Sequence, residues 1–196
     1  MKLPEPNFKG HLSIEEALLK RRSIREYSKT SLTLSEISQL LWSAYGITSP
    51  EGYRTAPSAM ALYPLEIDLV AGNIEDLPAG VYRYSPQNHK LKLSSEGDLR
   101  QAVCETTFDQ PFVGEGAAVL VFSAVYERTC AKFGEAGTKF VHMDLGHSSE
   151  NLHLQAVALD IGTVVVGAFR PEEVKRVISL AEDEDPLYLM PIGRIR

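Results

Sequence analysis

The sequence predicts an α+β fold, a mixed β-sheet sandwiched by helices with one long helix at the centre. Three observations point there. Apolar runs of strand length alternate with stretches of helical periodicity. No internal repeat or low-complexity tract divides the chain. The stretch from about 138 to 160 is apolar or small nearly all the way round, as expected of a helix with protein against most of its faces. With 196 residues, 44% of them hydrophobic and 23% charged, 1–196 reads as one domain, with 1–11 as an N-terminal extension.

Ser13-Ile14-Glu15-Glu16 has the pattern of a capping box, which starts a helix over about 14–20. Thr33-Leu34-Ser35-Glu36 repeats it. Ile37, Leu40, Leu41, Ala44 and Tyr45 follow on one helical face, and Gly46 ends the helix. Segment 48–57 is a loop, and Pro57-Ser58-Ala59-Met60 reads as the opening of another helix. Glu66 to Val70 alternates as a strand. Gly80–Tyr84 and Lys90–Leu93 form a hairpin around Pro86-Gln87-Asn88. A helix over 97–106 leads into a loop holding Gln110, Pro111 and Gly114. Ala117 to Tyr126 is a strand covered on both faces. A short helix near 127–133 precedes the long one. Gly162 stops that helix, 163–168 is a buried strand, and Pro171 opens a helix ending near Leu180. Glu182-Asp183-Glu184-Asp185 reads as a solvated turn, and Leu187–Ile192 as the last strand.

The net charge of −6 excludes a general nucleic-acid binder, which needs a broad basic face. No run reaches membrane-spanning length and Met1–Glu5 has no apolar signal core, so the expected location is the cytoplasm. Cys104 and Cys130 are too few for a disulfide scaffold or a four-thiolate metal site, and read as small apolar residues. Small residues along the long helix (Gly146, Ser148, Ser149, Ala156 and Ala158) fit a homodimer in which two such helices meet.

Asp144-x-x-His147 and Glu150-x-x-His153 have the carboxylate-x-x-His spacing of di-iron proteins. Those motifs, however, stand on different helices facing one core, whereas here both share one helix, six residues apart. No metal is expected. No G-x-S-x-G elbow, G-x-G-x-x-G or Walker A sequence is present. An enzyme on this chain must therefore take its reactivity from a bound cofactor. Three segments can offer donors to an anionic, planar ligand. Arg21-Arg22-Ser23-Ile24-Arg25 supplies forked guanidinium groups suited to phosphate or carboxylate oxygens. Pro57-Ser58-Ala59-Met60 supplies free N–H groups among small side chains. Val166-Gly167-Ala168 supplies backbone that can come close to a ring edge, with Gly193-Arg194 following.

In this order, these segments resemble the FMN-dependent nitroreductase superfamily. The likeness spans about 12–196. It includes R-R-S-x-R at 21–25, the run from Pro57 to Glu66, Asp160 to Phe169, and Pro191-Ile192-Gly193-Arg194. Tyr126–Gly134 and Gly146–Leu152 are most similar to the branch of SagB-type azoline dehydrogenases. The resemblance implies a homodimer joined through the long helix, with FMN in a cleft at the interface and NAD(P)H as donor. Arg21, Arg22, Ser23 and Arg194 would hold the phosphate, and Arg25 would face the N1/O2 edge of the ring. Pro57, Ser58, Ala59 and Met60 would come from the other subunit. Val166, Gly167 and Ala168 would lie at N5, and Gln110 would reach the pyrimidine. The flavin does the chemistry, and Lys132 is the one candidate catalytic side chain. Met60 stands where the branch often has glycine, and Lys132-Phe133 where azoline dehydrogenases carry Lys-Tyr. The implied reaction is ping-pong hydride transfer to a small nitro- or quinone-type acceptor. The alternatives are azoline oxidation or flavin binding without turnover.

Overall fold

The computed structural model describes residues 1–196. Both capping boxes form. Ser13 accepts from the Glu16 N–H while Glu16 reaches back to the Ser13 N–H, opening α1 (Ile14–Lys20). Thr33 and Glu36 do the same for α2 (Leu34–Tyr45). Each arrangement satisfies N–H groups that a helix start leaves without partners, and each cap is worth about 1 kcal/mol.

Pro57–Met60 does not open a helix. It leads into a single 3-10 turn, Ala59–Ala61, with Met60, Ala61 and Tyr63 all in the left-handed region (φ 51°, 54° and 48°). Side chains resist that conformation, so a longer helix cannot propagate from here. The turn hands the chain to β1 (Leu65–Ala71), which is followed by the hairpin β2 (Gly80–Ser85) and β3 (Lys90–Glu96). Then come α3 (Arg100–Glu105), α4 (Phe112–Glu115) and β4 (Ala118–Ala124). The chain continues through α5 (Glu127–Phe133), α6 (Ala136–Ala158), β5 (Ile161–Thr163), α7 (Pro171–Val177) and β6 (Asp185–Arg194). Short α4 occupies what reads in the sequence as plain loop.

The six strands lie in the order β3-β2-β1-β4-β6-β5. The α+β class holds, but every strand pairing is antiparallel rather than mixed. Strand alternation sorts side chains to two faces. Leu65, Ile67, Leu69, Leu120 and Phe122 pack with α2 and α6 residues, while Val70, Val119 and Val121 pack with residues of α3, α4 and α7. Helices cover both faces.

Gly162 lies within β5 rather than ending α6. The helix stops at Ala158, and Asp160 turns the chain through the left-handed region (φ 54°). The expected strand over 163–168 is correspondingly cut short. Beyond Thr163 the chain touches β6 only through reciprocal Val166–Leu189 bonds of 2.8 and 2.9 Å. Ser148, Ser149 and Ala156 are buried within the chain, and the Ser148 hydroxyl donates to the Ala44 carbonyl at 2.7 Å. Most of the small residues on α6 therefore serve close packing on α2. The face left open carries Met143, Gly146, His147 and Glu150, at the spacing of one helical stripe.

The acidic turn is not wholly solvated. Glu184 is buried and takes both ends of the Arg83 guanidinium at 2.9 and 2.5 Å, while Arg83 Nε donates to Asp68 at 2.9 Å. Glu66 stands 3.4 Å from the same guanidinium. Arg128 pairs with the other oxygen of Glu66 at 2.5 Å, so three carboxylates share two guanidinium groups and excess negative charge remains. Burial, opposed by Arg83 and reinforced by Glu184 and Glu66, pushes the Asp68 carboxyl up to about 6.

Candidate active site

The arginine cluster follows α1, whose carbonyl end it caps: the Arg21 N–H bonds the Ala17 carbonyl. Its members have different neighbours. Arg21 lies half-buried against α6, with only a 3.9 Å approach to Glu150. Arg22 folds back onto the carbonyls of Leu19 and Arg21 at 3.1 and 2.7 Å. Ser23 and Arg25 line one concavity with Glu26 and Arg196. The Ser23 hydroxyl and the Arg25 guanidinium donate to no protein acceptor; Arg25 instead rests 5.6 Å from the Phe112 ring centre. Arg21, Ser23 and Arg25 thus keep donors for a ligand, whereas Arg22 has spent donors on its own helix end.

Phe112 opens α4 two residues after Gln110, and Gln110 Nε2 donates to the Ala168 carbonyl at 2.8 Å. Arg25, Gln110 and Val166–Ala168 are therefore joined by a short chain of contacts. Val166 is pinned to β6, but Gly167 and Ala168 are exposed, and neither N–H donates to any protein acceptor. A Cβ built on Gly167 would meet nothing nearer than Tyr188 at 3.8 Å. The fold itself does not require glycine here. Two free backbone donors on open ground suit the edge of a planar ligand.

Arg194 is already engaged. It donates to Glu36 at 2.6 Å and to the Leu159 carbonyl at 3.0 Å, tying the start of α2 to the end of α6. Pro57–Met60 is held on another side of α6. The segment lies beside Asp144, whose carboxyl feels Ser58 and Ala59, the Ser58 hydroxyl accepts from the Tyr63 N–H at 3.0 Å, and Asn151 donates to the Thr55 carbonyl at 3.1 Å. Asp144 and Asn151 are seven residues apart and share a face. Arg21 meets the helix at Glu150 and near His153, on a different face. Burial raises the Asp144 carboxyl above its ordinary range against the pull of Ser58. Burial first, and then Arg21, pushes His153 down to about 4, so that ring is neutral. Lys132 is exposed on α5, and Phe133 next to it packs edge-on against Phe140 at 4.9 Å.

The Nitroreductase family model matches residues 18–194. The chain belongs to the nitroreductase family. Membership makes it an oxidoreductase of the nitroreductase class. A Methanocaldococcus jannaschii protein provisionally named a nitroreductase is 39% identical over 183 residues, covering 93% of this chain and 91% of its own. A crystal structure from Ralstonia eutropha JMP134, with the same provisional name, superposes with a TM-score of 0.88 at 33% identity. That match covers all of this chain and 89% of the other. The Vibrio harveyi NADPH:FMN oxidoreductase, solved with NAD+, shares the fold at 19% identity and a TM-score of 0.67, over 92% of this chain and 68% of its own.

One feature of this nitroreductase has no mark in the sequence pattern. Arg54 sits in the corner between the Tyr45 and Tyr63 rings, 4.1 and 4.4 Å from their centres. It lies in a stretch that reads as loop, and its two rings stand nine residues before and nine after it. That tyrosine on each side at equal spacing is its one trace in the sequence.

Proposed function

We propose that the chain binds FMN at the interface of a homodimer and passes electrons by a ping-pong route from NAD(P)H to a small nitro- or quinone-type acceptor. The observation that carries this reading is the pair of unpartnered N–H groups at Gly167 and Ala168. They stand in contact range of a segment that also meets the free guanidinium of Arg25. Bound FMN supplies a ring nitrogen that accepts and returns hydride. Gly167 and Ala168 would orient that edge by hydrogen bonding, and Gln110 holds their segment through the Ala168 carbonyl. Arg25 places a cation where the ring system gathers negative charge on taking up electrons, which favours that charge. Arg21 and Ser23 supply charge-assisted and neutral donors for the phosphate, with Arg22 beside them; each charged bond is worth about 1.5–3 kcal/mol. Arg194 would have to leave Glu36 to join them.

Pro57–Met60 rests on a face of α6 different from the one Arg21 meets. Its approach to the same ligand is therefore supplied by a second copy of the chain. Exposed Ile14, Leu18 and Leu19 on α1, with Met143 and the open Gly146 on α6, support such pairing. We take 1–196 as one FMN-binding domain and the cytoplasm as its location. Anaerobic mixing of the purified yellow protein with NADPH or NADH tests the reaction. Either nucleotide should bleach the flavin absorbance, and a nitroaromatic or quinone should restore it. Colour indifferent to both nucleotides would contradict it and indicate flavin binding without turnover.

A further inference from the structure

From the setting of Arg54 we infer a second oxyanion-recognition point, one that selects for a carboxylate or phosphate on the molecule entering the active site. The inference rests on the nitroreductase reading above. Arg54 forms no ion pair and its guanidinium donates no hydrogen bond within the chain, unlike Arg83, Arg100, Arg128, Arg170 and Arg194. Its position is nonetheless fixed. Tyr45 and Tyr63 stand edge to face, with ring centres 6.0 Å apart, and the guanidinium lies over both. The Arg54 N–H donates to the Tyr63 hydroxyl at 3.2 Å, and the Tyr45 hydroxyl accepts from the Leu65 N–H at 3.2 Å, so rings and arginine are held as a unit. With the two rings 83° apart, the guanidinium can lie flat on one of them and turns an edge toward the other, which leaves its remaining N–H edge free.

That edge borders a cavity of about 570 Å³ lined by Tyr53, Pro57, Ser58, Met60 and Tyr63. Tyr53 and Met60 are exposed there and offer apolar surface beside the cation. A fixed fork next to an apolar wall is the arrangement that binds an aromatic or planar molecule carrying a carboxylate or phosphate. The cavity shares Pro57, Ser58 and Met60 with the segment assigned to the flavin, so a molecule held by Arg54 would lie next to it. Two sources could bring the oxyanion: a carboxylate on the acceptor, or the 2′-phosphate that distinguishes NADPH from NADH.

The test is equilibrium titration of the FMN-loaded protein with matched pairs, 4-nitrobenzoate against nitrobenzene and NADP+ against NAD+. FMN content and melting temperature are recorded alongside. Wild type should prefer the charged member of one pair by about tenfold to a hundredfold, the value of a charge-assisted bidentate contact. Which pair shows the preference names the source. Arg54→Met keeps an apolar stem between the rings and should abolish the preference while leaving FMN content unchanged. Arg54→Lys, which keeps the charge without the fork, should retain part of it and serves if the methionine variant does not fold. Absence of preference in wild type, its survival in Arg54→Met, or loss of FMN from that variant would each overturn the inference. A wild type that never holds FMN would instead overturn the nitroreductase reading, and the 4-nitrobenzoate titration of Arg54 remains readable on that protein.

Discussion

Gly167 is open on every side, which separates its part in folding from its part in binding. A side chain added there meets only the edge of Tyr188, so Gly167→Val should leave the melting temperature near that of wild type. The same branched side chain would stand over the two free N–H groups, and FMN binding should weaken about tenfold or more. Equal flavin affinity in the two proteins would place the ring elsewhere. Two buried titrating groups oppose each other in acid. Asp68, raised to about 6 by burial, holds a proton in the folded state that the unfolded chain releases above about 4. Its contribution therefore falls as pH rises from 4 to 6. His153, lowered to about 4 by burial and Arg21, refuses a proton that the unfolded chain takes below about 6.5. Its contribution falls as pH drops through the same window. Asp68→Asn should make stability drop more steeply than wild type on acidification from pH 6.5 to 4.5, and His153→Leu less steeply, in urea titrations. Parallel curves for all three would remove both assignments. Arg21, Ser23 and Arg25 were legible in the sequence because five adjacent residues carry the pattern. Arg54 and Glu184 were not: a bend of the chain brings two rings together on Arg54, a spacing no helix or strand pattern marks, and Glu184 finds its partner, Arg83 on β2, 101 residues away.

Elements were legible where a local device sets their ends. The two capping boxes start α1 and α2 where the sequence places them, and Gly46 closes α2 with its N–H on the Trp42 carbonyl. The reading failed where tertiary contacts decide. At 57–63, Asn151 of α6 holds the Thr55 carbonyl and the Ser58 hydroxyl accepts from the Tyr63 N–H, and the chain turns through three left-handed residues instead of coiling on. Left-handed backbone costs a side-chain residue about 1–2 kcal/mol. Met60→Gly should accordingly raise unfolding stability by about 1 kcal/mol, measured by urea titration, and a loss of stability would show that Met60 packs productively despite its exposure. At 163–168 continuous apolarity promised a strand, but the chain crosses β6 at Val166 and moves on. That early departure is what frees Gly167 and Ala168 from sheet pairing, so the misread element and the proposed site are the same feature.

At the scale of the whole molecule, the segments proposed for the flavin are apart within one chain: Arg21 meets α6 at Glu150, and the stretch before Met60 meets another face at Asp144 and Asn151. Arg25, Gln110 and the Val166–Ala168 segment are linked to one another by contacts that do not include Pro57–Met60. The order of these segments was visible in the sequence. Their separation within a single subunit was not, because it depends on which face of a 23-residue helix each segment meets. Pairing two copies, as proposed, would also cover the apolar residues left exposed on α1 and α6. The most direct measurement is the flavin content and particle mass of the same chromatographic peak, for wild type and Arg21→Ala. Wild type should run as a dimer with one FMN per chain, and the variant should remain a dimer with most of its FMN lost. A wild-type monomer that takes up no added FMN, or a variant with undiminished FMN, would contradict a phosphate held by the guanidinium groups after α1.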